Sequence, residues 1–353
     1  MRLFGTTTLG AFLCLVSAFG GTAAAEAPFA PGWTLQAGAS KLNFQTVKSQ
    51  TTVESSSFAT LRGVISADGV ASVVVSLDSV DTTIDLRNVR MRFLFFETFK
   101  FPEAAITLRL HSADLQGLAT QRRMTLKAVK YDLNLHGVTK PMTTDVVVTL
   151  LSDSLVSVAS STPISVAAAD FALTDGVRKL EDAAQVTIIP SGSVTFDFLF
   201  QKNGATAAPT PAVAAVAPAQ TALETAGELD TEACAGRFEI ISRTGAIYFK
   251  TGSADLAADS KPLLESIVQI ARRCPKLRIQ VAGHTDSSGD PAANRVLSDG
   301  RAKSVVRYLT GAGIAADRFE AVGYGDTKPV APNDSAWNQS RNRRIAFSVV
   351  GGK

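Results

Sequence analysis

The chain is poor in the residues that metal and thiol chemistry use. It has only three histidines, His111, His136 and His284, and three cysteines among 353 residues. His111 alternates with apolar strand residues and His136 opens a turn, so neither has a neighbour at a metal-ligating spacing and no metal site is expected. Tryptophan and tyrosine are scarce too, and the region before residue 202 holds one of each, Trp33 and Tyr131. A barrel that spans a membrane needs outward apolar bands and aromatic girdles at both interfaces, which this composition argues against. Past the N-terminus no run reaches the roughly 18 consecutive apolar residues of a spanning helix. The formal charge of +3 leaves no electrostatic footprint for nucleic acid or an anionic surface.

What is present is a globular composition, 46% apolar and 19% charged, over a length that suits two domains. Arg2, the apolar run from Leu9 to Phe19 and the small residues Ala23, Ala24 and Ala25 lay out a cleavable secretory signal over residues 1–25. Cys14 lies inside that run after Ala11, Phe12 and Leu13, which is not the pattern of a lipoprotein site. The other two cysteines, Cys234 and Cys274, predict a disulfide in an exported chain. Closing that loop would stabilise the fold by about 4 kcal/mol in the chain-entropy account.

Composition shifts near Lys202. From Asn203 to Asp230 the chain is mostly Ala, Pro, Thr and Val, with no aromatic residue and no sustained amphipathic pattern. This predicts an Ala/Pro-rich linker over 202–230, averaging roughly 30 Å as a flexible coil and reaching roughly 85 Å in polyproline form. It divides a module at 26–201 from another at 231–353.

The first module alternates with period 2. Ile106, Leu108 and Leu110 alternate with Thr107, Arg109 and His111, and Val194, Phe196, Phe198 and Phe200 with Thr195 and Asp197. The alternation changes phase near Ala128 and Val129, which predicts a β-bulge. Residues 137–141 read as a turn, and only 175–185 reads as a helix. Many strands with short turns predict an antiparallel sandwich or barrel. The Phe residues bunch in RMRFLFFETFKFP, residues 90–102. Two readings stay open for Phe93, Phe95, Phe96, Phe99 and Phe101: core filling, or the lining of a cavity for one apolar ligand.

This stretch, from Arg87 and Asn88 through Phe95 and Phe96 to Phe101 and Pro102, resembles a motif of the YceI-like family. The strand with LNLHGVTKP at 133–141 and the helical insert before the last strands are similar too. Over roughly residues 32–200, the resemblance implies an all-β, lipocalin-like antiparallel barrel that holds a polyisoprenoid or other long-chain lipid.

The second module has another rhythm. FEIISRTGAIYF, residues 238–249, reads as a strand or two. Pro262 precedes Leu263, Leu264, Ile267, Val268 and Ala271 at helical spacing, and Leu277, Ile279 and Val281 alternate as a strand. A second helix is predicted over 291–310, then a strand or turn at 319–324 and a closing strand at 345–349, giving an α/β layered domain.

On a wheel advancing about 100° per residue, Ala302, Val305, Val306 and Leu309 share one half with Leu297, while Asp299, Lys303 and Arg307 share the other. Arg301 falls in the apolar half, beside Asn294. A charge aimed inward needs a partner, and Asp286, just past the preceding strand, is the candidate. Either the two form a structural ion pair, or both line a cleft. In the second case Asp286 would accept an ammonium and Arg301 would fork onto a carboxylate, the two ends of an amino-acid head group.

The segments YFKTGSADL, VAGHTDSSGD, NRVLSDGRAKSVVRYL, AVGYGDTKPV and QSRNRRIAF together resemble, in order and across the module, the OmpA C-terminal-like peptidoglycan-binding domain. The resemblance implies that Asp286 and Arg301 bind the diaminopimelate side chain of the wall peptide, with Asn294, Leu297 and Arg344 in support. The paired cysteines match a common subset of that family.

His284 and Asp286 stand two apart on an extended segment without a nucleophile motif, so no catalytic residue is assigned and no enzyme is expected. No phosphate-cradling glycine pattern precedes a helix, and no cofactor is expected. The resemblances together imply a periplasmic protein of a Gram-negative bacterium, associated with the wall or outer membrane, whose wall anchor tethers the barrel. Two alternatives remain at this point: an integral outer-membrane barrel with a periplasmic anchor, and an enzyme acting on envelope lipid or peptide.

Overall fold

A face that alternates between apolar and polar at every second residue can bury one side only if its sheet curls around a core. In the computed structural model, which describes residues 29–204, 227–245 and 247–350, the first module does this. The proposed signal at 1–25 and the bulk of the linker, 205–226, lie outside the described residues.

The barrel has eight strand positions. Trp33–Leu35 and Lys41–Lys48 share the first, Thr52–Phe58 and Leu61–Ile65 the second, and Val70–Ser76 and Val80–Asp81 the third. Glu103–Arg109, Arg123–Leu135 and Val138–Ser152 follow; Leu155–Ser160 and Ile164–Ala167 share the seventh, and Ile188–Lys202 is the last. The ring closes where Trp33–Leu35 pairs antiparallel with both Leu61–Ile65 and the end of Ile188–Lys202. Inward positions such as Leu42, Phe44, Val73, Val75 and Phe198 are buried, while Lys41, Asn43, Gln45 and Lys127 point to the exposed outer side. At these positions the outer face is polar, unlike the apolar band of a spanning barrel. Among the described residues, no helix is long and apolar enough to cross a membrane.

The register shifts between Leu126 and Val129, with Ala128 at φ 52°, the bulge that the phase change predicts. The turn expected over 137–141 is tighter. His136 and Gly137, at φ 52° and 77°, form it alone, and Pro141 lies in the following strand opposite Asp132.

Helices close one end of the barrel. Helix α1 (Asp85–Arg90) runs into a π-helical turn, Met91–Phe95, so the Phe-rich stretch is a helical cap in addition to the helix expected at 175–185. A short helix α2 (Leu118–Gln121) lies at a strand connection, and α3 (Thr174–Ala184) is the expected insert.

In the second module the segment expected to begin as a strand is helical. Helix α4 (Thr231–Ser242) starts where the Asp230 carboxylate accepts the Ala233 N–H at 2.7 Å. Phe238 and Ile241 then recur on one buried face. Helices α5 (Lys261–Arg273), α6 (Pro291–Gly311) and α7 (Ala336–Asn342) complete the helical layer. The strand Arg278–His284 lies between Phe319–Gly325, parallel to it, and Ile345–Val350, antiparallel. Cys234 and Cys274 are joined as a disulfide that ties α4 to the end of α5.

The modules do not stand a linker's length apart. Ile240 of α4 packs into the barrel's core cluster, and Phe93 and Phe99, stacked 6.2 Å apart, pack on the core of the second module. Arg237 of α4, its side chain only 3% exposed, donates to Asp85 of α1 at 2.9 Å. Lys179 of α3 donates to both Glu97 (3.0 Å) and the Thr244 carbonyl (3.3 Å). Burial pushes the Glu97 carboxyl up, but neighbouring His136 and Lys179 outweigh it and bring it down to about 2.

Candidate functional site

Strand Arg278–His284 delivers Asp286 to the end of the sheet. Its Oδ1 accepts the Ser288 N–H at 2.9 Å, an Asx turn, and Asn294 closes the turn by donating to the Ser288 carbonyl at 2.9 Å. Helix α6 begins immediately after, with Asp290 capping the Ala293 N–H at 2.8 Å and Pro291 in its first turn. It lies directly on the strands. A Cβ at Gly283 would overlap the Ser298 carbonyl, and one at Gly323 would overlap the Asp299 backbone.

Ala302, Val305 and Leu309 are buried against the sheet, Lys303 and Arg307 are exposed, and Arg301 is half-buried between them. Its Nε donates to the Ser253 carbonyl at 3.1 Å, and the guanidinium stacks over Phe249 at 5.0 Å. The structural ion pair between Arg301 and Asp286, the first of the two expected arrangements, is not formed. Arg343 takes the Asp286 Oδ2 instead, at 2.6 Å. Burial pushes the Asp286 carboxyl up, but Arg343 and the Ser288 donors outweigh it and hold it below its ordinary value. Burial pushes the Arg301 guanidinium down, Arg343 adds to that, and Asp286 pulls it back up, so the three charges lie within reach of one another's fields. Among the described residues Arg301 has no carboxylate partner.

The supporting residues separate. Asn294 shapes the turn and Leu297 is half-exposed on α6. Arg344 does not reach Asp286; its guanidinium donates to the carbonyls of Lys328 (3.2 Å) and Asn342 (3.4 Å). The neighbouring Arg343 was not singled out from sequence, because nothing in the run RNRR distinguishes one arginine from the next. His284 is buried and stacked on Tyr324 at 5.4 Å. Burial first, then Arg344 and Lys328, push its imidazole down to about 4, so it stays neutral at neutral pH.

The barrel holds a cavity of about 700 Å³ lined by aliphatic and Phe side chains from around the ring, among them Phe44, Val73, Ile106, Leu133 and Phe198. Of the five Phe candidates, Phe95 and Phe96 line it. Phe93 and Phe99 do not, because they face the second module, and Phe101 packs on His136, 4.2 Å between ring centres. Polar side chains gather where the cap meets the strands. Glu54 takes both Lys48 and Arg87, and Arg90 borders the cavity with its Nε buried and unbonded.

The YceI-like domain family matches residues 33–200, and the OmpA family matches residues 248–343. The chain is 36% identical over 106 residues to outer membrane protein A of Bordetella avium, covering 30% of this chain and 55% of that one. It is 37% identical over 106 residues to the peptidoglycan-associated lipoprotein of Agrobacterium fabrum, covering 30% and 59%. The chain thus spans little more than half the length of these relatives. The solved structure of a polyisoprenoid binding domain from Saccharophagus degradans is 35% identical, with a TM-score of 0.47, and covers 48% of this chain and 98% of its own. This chain therefore joins a YceI-like barrel domain to an α/β domain of the OmpA family.

Proposed function

We propose that the chain is a non-catalytic adaptor of the Gram-negative periplasm. Its second domain grips peptidoglycan through the zwitterionic end of a diaminopimelate side chain, and its barrel carries a polyisoprenoid or other long-chain lipid. The observation that carries the first part is the placement of a largely buried Asp286, held low in pKa by Arg343 and Ser288, together with an Arg301 whose terminal nitrogens have no carboxylate among the described residues. An ammonium placed on Asp286 and a carboxylate on Arg301 would each gain a charge-assisted hydrogen bond. The peptidoglycan-associated lipoprotein among the relatives supports this reading. The apolar cavity supports the second part.

The test is sedimentation with purified sacculi. Asp286→Ala and Arg301→Ala should each release the protein, and free meso-diaminopimelate should compete; full binding by both folded variants refutes the site. Solvent extraction of the purified protein should yield an apolar ligand in the mass spectrum.

A further inference from the structure

The helices that close the cavity are the same ones that the second domain holds. On its inner side the cap turns Arg87, Arg90, Met91, Phe95 and Phe96 to the cavity. On its outer side Asp85 pairs with Arg237, Leu86 lies against Gly236, and Phe93 and Phe99 pack on the second domain's core. Helix α3 repeats the arrangement. Val177, Leu180 and Ala184 face the cavity, while Arg178 lies over Trp337 at 5.6 Å and Asp182 pairs with Arg341 at 2.9 Å, both partners on α7.

The cap carries unusual backbone geometry. A π turn, its Phe96 N–H donating to the Met91 carbonyl at 2.8 Å, is an uncommon element often found at functional sites. Non-glycine residues in the left-handed region flank the segment, Thr83 at φ 61° and Glu97 at φ 47°. For β-branched Thr83 this is a costly conformation that persists only when its surroundings impose it. Thr83 is held from within the barrel, its N–H donating to Asp81 at 2.7 Å, while Glu97 is joined to the second domain through Lys179, which donates to both Glu97 and the Thr244 carbonyl.

We propose that the docked second domain is the latch of the barrel. While it grips α1, the π turn and α3, the cap stays shut and an apolar ligand is retained; when the domains part, the cap relaxes and the ligand leaves. The proposal rests on the reading of the cavity as a lipid site. It makes ligand release a property of the interface between the domains, not of the barrel alone.

The test uses the full chain loaded with N-phenyl-1-naphthylamine and follows transfer of the probe to phosphatidylcholine vesicles by stopped flow. Gly236→Trp wedges the interface at the point where Leu86 leaves no room, and it replaces a poor helix former in α4. The double variant Asp85→Arg with Asp182→Arg sets cations against Arg237 and Arg341 without touching the cavity. Small-angle scattering reports whether the domains have separated, and sacculus sedimentation reports that the second domain is intact.

Release at least about tenfold faster in a separated variant, with sacculus binding kept, supports the latch. Release unchanged within about twofold in a separated variant overturns it. Domains that stay docked in both variants overturn it too, because the contact is then not a reversible one. A wild-type chain that takes up no probe refutes the lipid reading itself, and that result is visible before any variant is made.

Discussion

Replacing Asp286 by asparagine removes one negative charge and almost nothing else. The amide oxygen can still accept the Ser288 N–H, so the turn keeps its internal bond. The fold loses only the ion pair with Arg343, in which the Asp286 side chain is 11% exposed and the Arg343 side chain, open to water, is 48% exposed. Solvent screening limits that loss to about 1 kcal/mol or less, and for a domain of this size the melting point should fall by no more than about 5 °C. Binding should suffer far more. A hydrogen bond to a charged group contributes about 1.5–3 kcal/mol, and removing the anionic partner of an ammonium should weaken sacculus binding by roughly 10- to 150-fold. The assay is a sedimentation titration against purified sacculi beside a thermal melt of the same sample. Affinity within about twofold of wild type, with the melt unchanged, would refute the view that Asp286 holds an ammonium; a large drop in melting point would instead show that the carboxylate is structural.

Three further outcomes are expected. Replacing Cys234 and Cys274 by alanine should destabilise the second domain by about 4 kcal/mol, measured by urea unfolding of oxidised wild type and variant. The folded imidazole of His284 sits near 4, below its ordinary 6.5. Because the unfolded state takes up that proton first, this contribution to stability is complete above pH 6.5 and is lost as pH falls toward 4. His284→Gln should flatten the slope of melting temperature against pH in that window, and an unaltered slope would count against a buried neutral imidazole. Val73→Trp fills part of the cavity rather than crowding a packed core. It should cost about 1–3 kcal/mol at most, as read by thermal denaturation, and abolish probe uptake.

The barrel strands were legible because one of their faces meets the interior and the other meets water, which prints a period of two on Ile106 to Leu110 and on Val194 to Phe200. The cap and α4 were not. Both are wedged between two cores, so Phe93 and Phe96, or Ile240 and Ile241, are apolar toward different neighbours and no single face stands out. Arg301 could be aimed from the helical wheel because α6 has one buried face. Its expected partner could not, since the Asp286 carboxylate is satisfied from a residue 57 positions away in sequence. The docking of the domains left no trace in composition, because its polar contacts are ordinary surface residues until the fold brings them together.

The two glycines under α6 set a limit on what the cleft can accept. With no side chain at Gly283 or Gly323, helix backbone rests on strand backbone, and that spacing cannot be adjusted by any change of rotamer. Asp286 at the strand's end and Arg301 on the helix are thus mounted on two parts of a fixed gauge. On the proposed reading such a cleft would measure the distance between an ammonium and a carboxylate, and a ligand with the right charges at the wrong separation would engage one jaw only.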